Sequence, residues 1–124
     1  MSEEYYRALL EFRINHYKKY GFGVHAIFKD GQLIGQMGLQ VLDEKKQQLE
    51  YVIFLRKEYT KQGVGTKLLK YLFSKCKENG INTIYGVVRS GNKPAIRQIQ
   101  ELGGKEQKTV SHYKHSAILY KLKL

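Results

Sequence analysis

The sequence predicts one mixed α/β domain over residues 1–124, an antiparallel meander followed by a strand–helix–strand crossover. Three observations carry this. Residues 24–55 alternate apolar and polar side chains around Asp30-Gly31, a strong signal for a two-residue hairpin turn. An apolar run ending at Leu55 then passes through a glycine-bearing turn into a stretch with apolar residues at helical spacing. After that helix the chain returns to a β-branched, aromatic-rich run at 81–89, and strands joined through a helix pair in parallel.

In chain order, residues 3–19 read as a helix in which Tyr6, Leu9, Leu10, Ile14 and Tyr17 are expected to face the core. Ser2 suits the N-cap, Glu3 and Glu4 the positive end, and Lys18, Lys19 and Gly21 the other end. Strands are expected at 24–29 and 32–41, with a polar turn at 43–46 leading into a third strand at 47–55. In that strand Leu49, Tyr51, Ile53 and Leu55 share one face, and Gln48, Glu50, Val52 and Phe54 the other. A helix at 63–79 buries Val64, Leu68, Leu69, Leu72, Phe73 and Cys76, and Asn79-Gly80 ends it. Asn92 caps a further helix with Pro94 in its first turn and Ala95, Ile96, Ile99 and Leu102 on its apolar side. Strands at 105–110 and 117–122, joined by a polar loop at 111–116, complete the chain.

The turn before the long helix carries the chemistry. Glycine lacks a Cβ and permits close backbone approach, while the first turn of a helix leaves N–H groups without intrahelical partners at a positive dipole end. Gln62-Gly63-Val64-Gly65-Thr66 therefore reads as a pyrophosphate cradle. Its spacing is not that of a Walker A loop, and position 68 is Leu where a dinucleotide fingerprint needs glycine. A glycine-rich helix start with no ligand is the competing account of this stretch taken alone.

Composition narrows the partners. No apolar run approaches the ~20 residues that span a bilayer, so no membrane is expected. The N-terminus lacks a signal-peptide pattern and the single cysteine, Cys76, reads as a core-facing thiol, which points to a cytoplasmic protein. A net charge of +11 fits either nucleic acid or a polyanionic coenzyme. The lysines are dispersed and no recognition element is legible, so nucleic acid is not the expected partner.

The order of elements and motifs resembles the GNAT superfamily of acyltransferases. Thr60-Lys61-Gln62-Gly63-Val64-Gly65 is similar to the family's Arg/Gln-x-x-Gly-x-Gly/Ala loop, with Thr60 at the Arg/Gln position. Tyr20-Gly21-Phe22-Gly23-Val24-His25-Ala26-Ile27, Gln32-Leu33-Ile34-Gly35-Gln36-Met37-Gly38-Leu39 and Asn92-Lys93-Pro94-Ala95-Ile96-Arg97 with Leu102-Gly103 complete the resemblance. It looks nearest to the branch of ribosomal-protein N-terminal (alanine) acetyltransferases, although these begin with a further strand and helix that have no counterpart here. Strand 24–29 is accordingly expected at a sheet edge, and a homodimer that covers this edge is the expected assembly.

The resemblance implies acetyl-CoA as co-substrate, a primary amine of a peptide, protein or small molecule as acceptor, and no metal. It places the pantetheine arm and acetyl oxygen at backbone groups of Ile53, Phe54 and Leu55. It places the pyrophosphate on N–H groups of Lys61, Gln62, Gly63, Val64, Gly65 and Thr66, with Asn92 beside the pantetheine. Ala95 and Ile99 stand where relatives carry proton donors, and neither can donate. Tyr113 in the terminal hairpin is a phenol that nothing in the sequence positions. Amine acetylation needs a base, and Glu50 is the first candidate because its strand leads to the acetyl site. Tyr85 and His25 follow, and an ordinary strand-surface Glu is the competing account of Glu50. Three functions stay open at this point: an N-acetyltransferase first, a non-catalytic acyl-CoA-binding regulator second, and a basic nucleic-acid-binding module third.

Overall fold

The computed structural model describes residues 3–60, 63–112 and 114–124, apart from the side chains of Tyr5 and Tyr6. Helix α1 (Glu3–Tyr20) leads into strands β1 (Val24–Lys29), β2 (Gln32–Asp43) and β3 (Gln48–Leu55). Helix α2 (Val64–Glu78), β4 (Thr83–Arg89), α3 (Lys93–Glu101), β5 (Lys105–His112) and β6 (His115–Lys123) follow. The strands form one six-stranded sheet ordered β1-β2-β3-β4-β6-β5, antiparallel throughout except between β3 and β4. The expected meander, crossover and terminal hairpin are all present.

One face of the sheet carries α2 and α3. Ile84 and Val88 of β4, Tyr120 and Leu122 of β6, Cys76 of α2 and Ile99 of α3 form the buried cluster. Alternation along β4 turns Thr83, Tyr85, Val87 and Arg89 to the opposite face. Gly86 is where the layers meet most closely. A Cβ there would lie 2.5 Å from Ile99 Cδ1 and 2.8 Å from Tyr51 Cε1, so only glycine lets α3 and the Tyr51 ring meet across β4. The Tyr51 ring in turn packs edge-on against Phe73 of α2, with centroids 5.6 Å apart.

Helix α1 departs from the expected stripe. Leu10, Ile14 and Tyr17 are 60%, 46% and 48% exposed rather than core residues, and the side chain of Tyr6 lies outside the described ones. Among its described side chains, the one α1 buries is His16, at 7% exposure. Its Nε2 accepts the Val41 N–H at 2.9 Å, so Nδ1 carries the proton and donates to the Phe22 carbonyl at 2.9 Å. The reason is a gap in the ladder. β1 begins with Val24 opposite Gly38, so β2 beyond Gly38 has no strand on its outer side, and the imidazole meets the exposed amide. A polar tie therefore positions α1, and its apolar stripe overhangs an open groove.

The terminal hairpin is also longer than expected. Residues 111–116 are mostly paired rather than a loop, with Ser111 opposite Ser116 and His112 opposite His115. Lys114 takes φ +66 in the tight turn, and Tyr113 lies outside the described residues. β5 is an exposed edge strand, where polar side chains do not interrupt pairing.

His16→Ala leaves the Val41 amide and the Phe22 carbonyl without their partner. Each orphaned group costs about 1–3 kcal/mol when buried. We expect a lower urea midpoint at unchanged m-value, and an unchanged midpoint would mean that the imidazole does not hold α1 in place.

Candidate active site

β3 and β4 pair in parallel through Glu50 and Tyr85 alone. Every other ladder continues: β2 and β3 pair as far as Leu55 opposite Gly35, and β4 and β6 as far as Arg89 opposite Ala117. Beyond Glu50 and Tyr85 the two strands diverge inside the sheet. Their facing backbone donors and acceptors there have no ladder partner among the described residues. Ile53, Phe54 and Leu55 lie on the β3 side of this opening, with Phe54 64% exposed.

The glycine turn opens beside it. Gly63 sits at the N-cap of α2 with φ 73, a left-handed conformation that suits glycine. It offers no side-chain cap, and the first turn of α2 contains no acidic residue. The Lys67 N–H bonds the Gly63 carbonyl at 3.2 Å, so the amides of Val64, Gly65 and Thr66 precede the intrahelical ladder. Among the described residues these amides have no partner, and a positive helix end with this donor set fits a pyrophosphate. A Cβ on Gly65 would lie 3.5 Å from Leu55 Cδ1 and 3.8 Å from Gln98 Nε2, which places the cradle against the end of β3 and against α3. Lys61 and Gln62 lie outside the described residues.

Thr60 closes the preceding turn instead of facing the cradle, its hydroxyl donating to the Lys57 carbonyl at 2.8 Å. Asn92 caps α3, its Oδ1 accepting the Ala95 N–H at 3.3 Å, which leaves the side-chain NH₂ as a donor. It borders a cavity of about 600 Å³ with Arg89, Ser90, Gly91, His115 and Ser116.

Glu50 stands at the apex of the opening, paired with Tyr85, on the face away from α2 and α3. Burial raises its pKa above the usual carboxylate value, while a 2.7 Å hydrogen bond from Gln40 Nε2 and the charge of Arg13 pull the other way. Tyr85 shares this face. His25 is not brought to the site: it is exposed on β1, two strands from β3, with its ring against Tyr17. Ile99 is fully buried in the core. Among the described residues no group of three or more His, Cys, Asp or Glu side chains could hold a metal ion.

Two side chains at the site escape sequence reasoning. Gln98 borders the cradle from α3, and no spacing rule singles out one polar residue on that helix. Tyr51 reads as a core position in an alternating strand, yet its ring crosses the apex to Gly86. Burial pushes its phenol up to about 12, so it keeps its proton.

A phosphate cradle that adjoins a slot of unpaired backbone, with a partly desolvated carboxylate at the slot's apex, defines a coenzyme-dependent acyltransferase. The sequence matches the Acetyltransferase (GNAT) family over residues 2–103, and the chain belongs to that family. It is 30% identical to an N-alpha-acetyltransferase of Sulfurisphaera tokodaii, across 82% of this chain and 68% of that protein. The ribosomal-protein-alanine N-acetyltransferase of Brucella melitensis superposes with a TM-score of 0.76 at 18% identity, covering 100% of this chain and 80% of that one. A Salmonella typhimurium protein of the same fold, solved with its cofactor acetyl-CoA, gives a TM-score of 0.73 at 17% identity, covering 100% and 75%. The chain is an N-acetyltransferase of this family.

Proposed function

We propose that the chain acetylates the amino terminus of a peptide or protein at the opening between β3 and β4, with Glu50 as general base. The observation that carries this is the position of Glu50 at the apex of the slot, next to the strand end that bears Ile53, Phe54 and Leu55. In this reading the backbone of these three residues aligns the pantetheine arm and polarises the acetyl carbonyl. The amides of Lys61, Gln62, Gly63, Val64, Gly65 and Thr66 hold the pyrophosphate, and the Asn92 side chain donates to the pantetheine. Bound acetyl-CoA supplies the activated acyl group. A protonated amine gives up two protons as the nitrogen–carbonyl bond forms and the carbon–sulfur bond breaks. One leaves through Glu50 to solvent, and one neutralises the departing thiolate. Ala95 and Ile99 cannot donate, and Tyr51 is a phenol beside the apex whose proton burial holds in place.

We also propose a homodimer. β1 is an edge strand with Phe28 64% exposed. Beside it runs a groove of about 740 Å³ lined by Leu10, Ile14, Tyr17, Val24 and Leu33 among others. An open edge next to apolar surface favours strand addition by a second copy.

Glu50→Gln should lower kcat by about 10²–10⁴-fold and leave acetyl-CoA affinity by calorimetry unchanged. A full rate would remove Glu50 from the role. Activity needs the ionised carboxylate, and burial raises its pKa, so the acid limb of kcat/KM should lie above the 4.5 of an ordinary Glu. Gln40→Ala deletes the hydrogen bond that favours ionisation and should move that limb higher still, whereas an unmoved limb would assign it to another group. Light scattering at micromolar concentration should give twice the 14.5 kDa chain mass, reduced toward one chain by Phe28→Glu. A monomeric wild-type protein rejects the dimer, and a dimer indifferent to Phe28→Glu rejects this edge.

A further inference from the structure

The chain's charge is divided by position. Residues 79–100 and 107–124 contain no Asp or Glu, yet they hold seven Lys or Arg and two His. The sheet gathers part of this charge at one place. Arg89 is opposite Ala117, and Ala117 is opposite Val110. Two residues further along their strands stand His115 and His112, themselves a pair. Steps of two preserve the face of a sheet, so Arg89, His115 and His112 share one face. It is also the face of Tyr85 and Glu50, because Tyr85, Val87 and Arg89 alternate with the buried Ile84, Gly86 and Val88.

Arg89 also stands at the opening. It lies four residues past Tyr85, as Phe54 lies four past Glu50, so the two flank the slot on opposite strands. Four strand residues span about 13 Å, the reach of a short extended peptide. The three basic side chains feel one another: burial and the charges of Arg89 and His115 lower the pKa of His112. Ser90 Oγ and Ser116 Oγ, hydrogen-bonded to each other at 3.0 Å, border the cavity that Arg89 and His115 also line. Among the described residues neither Arg89 nor His115 pairs with a carboxylate: the ion pairs are Arg7–Glu3, Lys19–Glu44, Arg56–Glu58 and Lys75–Glu78.

We propose that this basic face selects acceptors in which Asp or Glu follows the reactive amine within the first few residues. The proposal rests on the acetyl-transfer reading above and names its substrate class. An amine placed at Glu50 with its chain running over the Glu50 and Tyr85 face of β4, on the side away from α2 and α3, brings those residues to Arg89 and then to the two imidazoles. An arginine fork matches a carboxylate. The face offers one arginine and two imidazoles over a short span, which suits a peptide carboxylate better than a run of nucleic-acid phosphates.

Three C-terminally labelled peptides that begin with the same residue and carry Asp, Asn or Lys at positions two to four test this. Binding to the coenzyme A-loaded protein is read by anisotropy, with acetylation rates measured alongside. The Asp peptide should bind at least tenfold more tightly than the Lys peptide, with a preference that fades as salt rises. Arg89→Ala combined with His115→Ala changes two exposed residues and should erase most of the preference at unchanged acetyl-CoA affinity. Equal binding of the three peptides overturns the proposal. So does a double variant that loses acetyl-CoA while keeping the peptide order, which would assign the face to the coenzyme. A single-stranded oligonucleotide that binds more tightly than the Asp peptide would assign it to nucleic acid. Tenfold selection for the Asp peptide without acetylation of any peptide supports the charge selection and rejects the transfer reading. Acetylation at equal rates and affinities does the reverse.

Discussion

A parallel strand pair that bridges at one residue and then separates is the constraint on which this structure depends. A buried sheet interior normally closes its ladder, because unpaired backbone groups away from water are costly. Here β3 and β4 meet only at Glu50 and Tyr85. The flanking ladders, β2 with β3 and β4 with β6, stay closed on either side and hold the two strands as rigid walls. Gly86 secures the apex, since its missing side chain lets Tyr51 and Ile99 pack over β4 at the point of divergence. The open backbone is thus confined to the stretch where a ligand arm can satisfy it.

The electrostatics follow from the same geometry. α2 begins at the end of β3's exit loop with neither a side-chain cap from Gly63 nor an acidic first turn, so among the described residues nothing answers the positive end of the helix beside the slot. A stabilising Ser or Asp cap at Gly63 would occupy amides that the cradle needs. Across the sheet, burial raises the pKa of Glu50, while the hydrogen bond from Gln40 and the charge of Arg13 pull it down. One buried polar contact therefore tunes the site, while another, His16 on Val41, holds the helix that covers this face.

Much of this was legible in the sequence because periodicity is a local signal. Alternation located the meander, Asp30-Gly31 its first turn, and Gly63 to Thr66 the start of α2. Where the readings failed, a nonlocal fact decided. The stripe of Leu10, Ile14 and Tyr17 is helical in spacing, but burial requires a surface to pack against, and the sheet offers α1 an unpaired amide instead. Ser111, His112, His115 and Ser116 read as loop because they are polar, although an exposed edge strand needs no apolar alternation. Thr60 sits at the position of a ligand-facing residue in relatives, yet it spends its hydroxyl on its own turn. The single-residue bridge between β3 and β4 leaves no trace in either strand's sequence, and it is the feature that turns Tyr51 and Gln98 into neighbours of the site.

Amide hydrogen exchange with and without acetyl-CoA tests the central claim, that the split between β3 and β4 is the coenzyme slot. Saturating coenzyme should slow exchange at Ile53, Phe54 and Leu55 and at Val64, Gly65 and Thr66, with β1 and β5 unchanged. Tight binding with protection confined to other elements, and none at the end of β3 or the start of α2, would contradict the account.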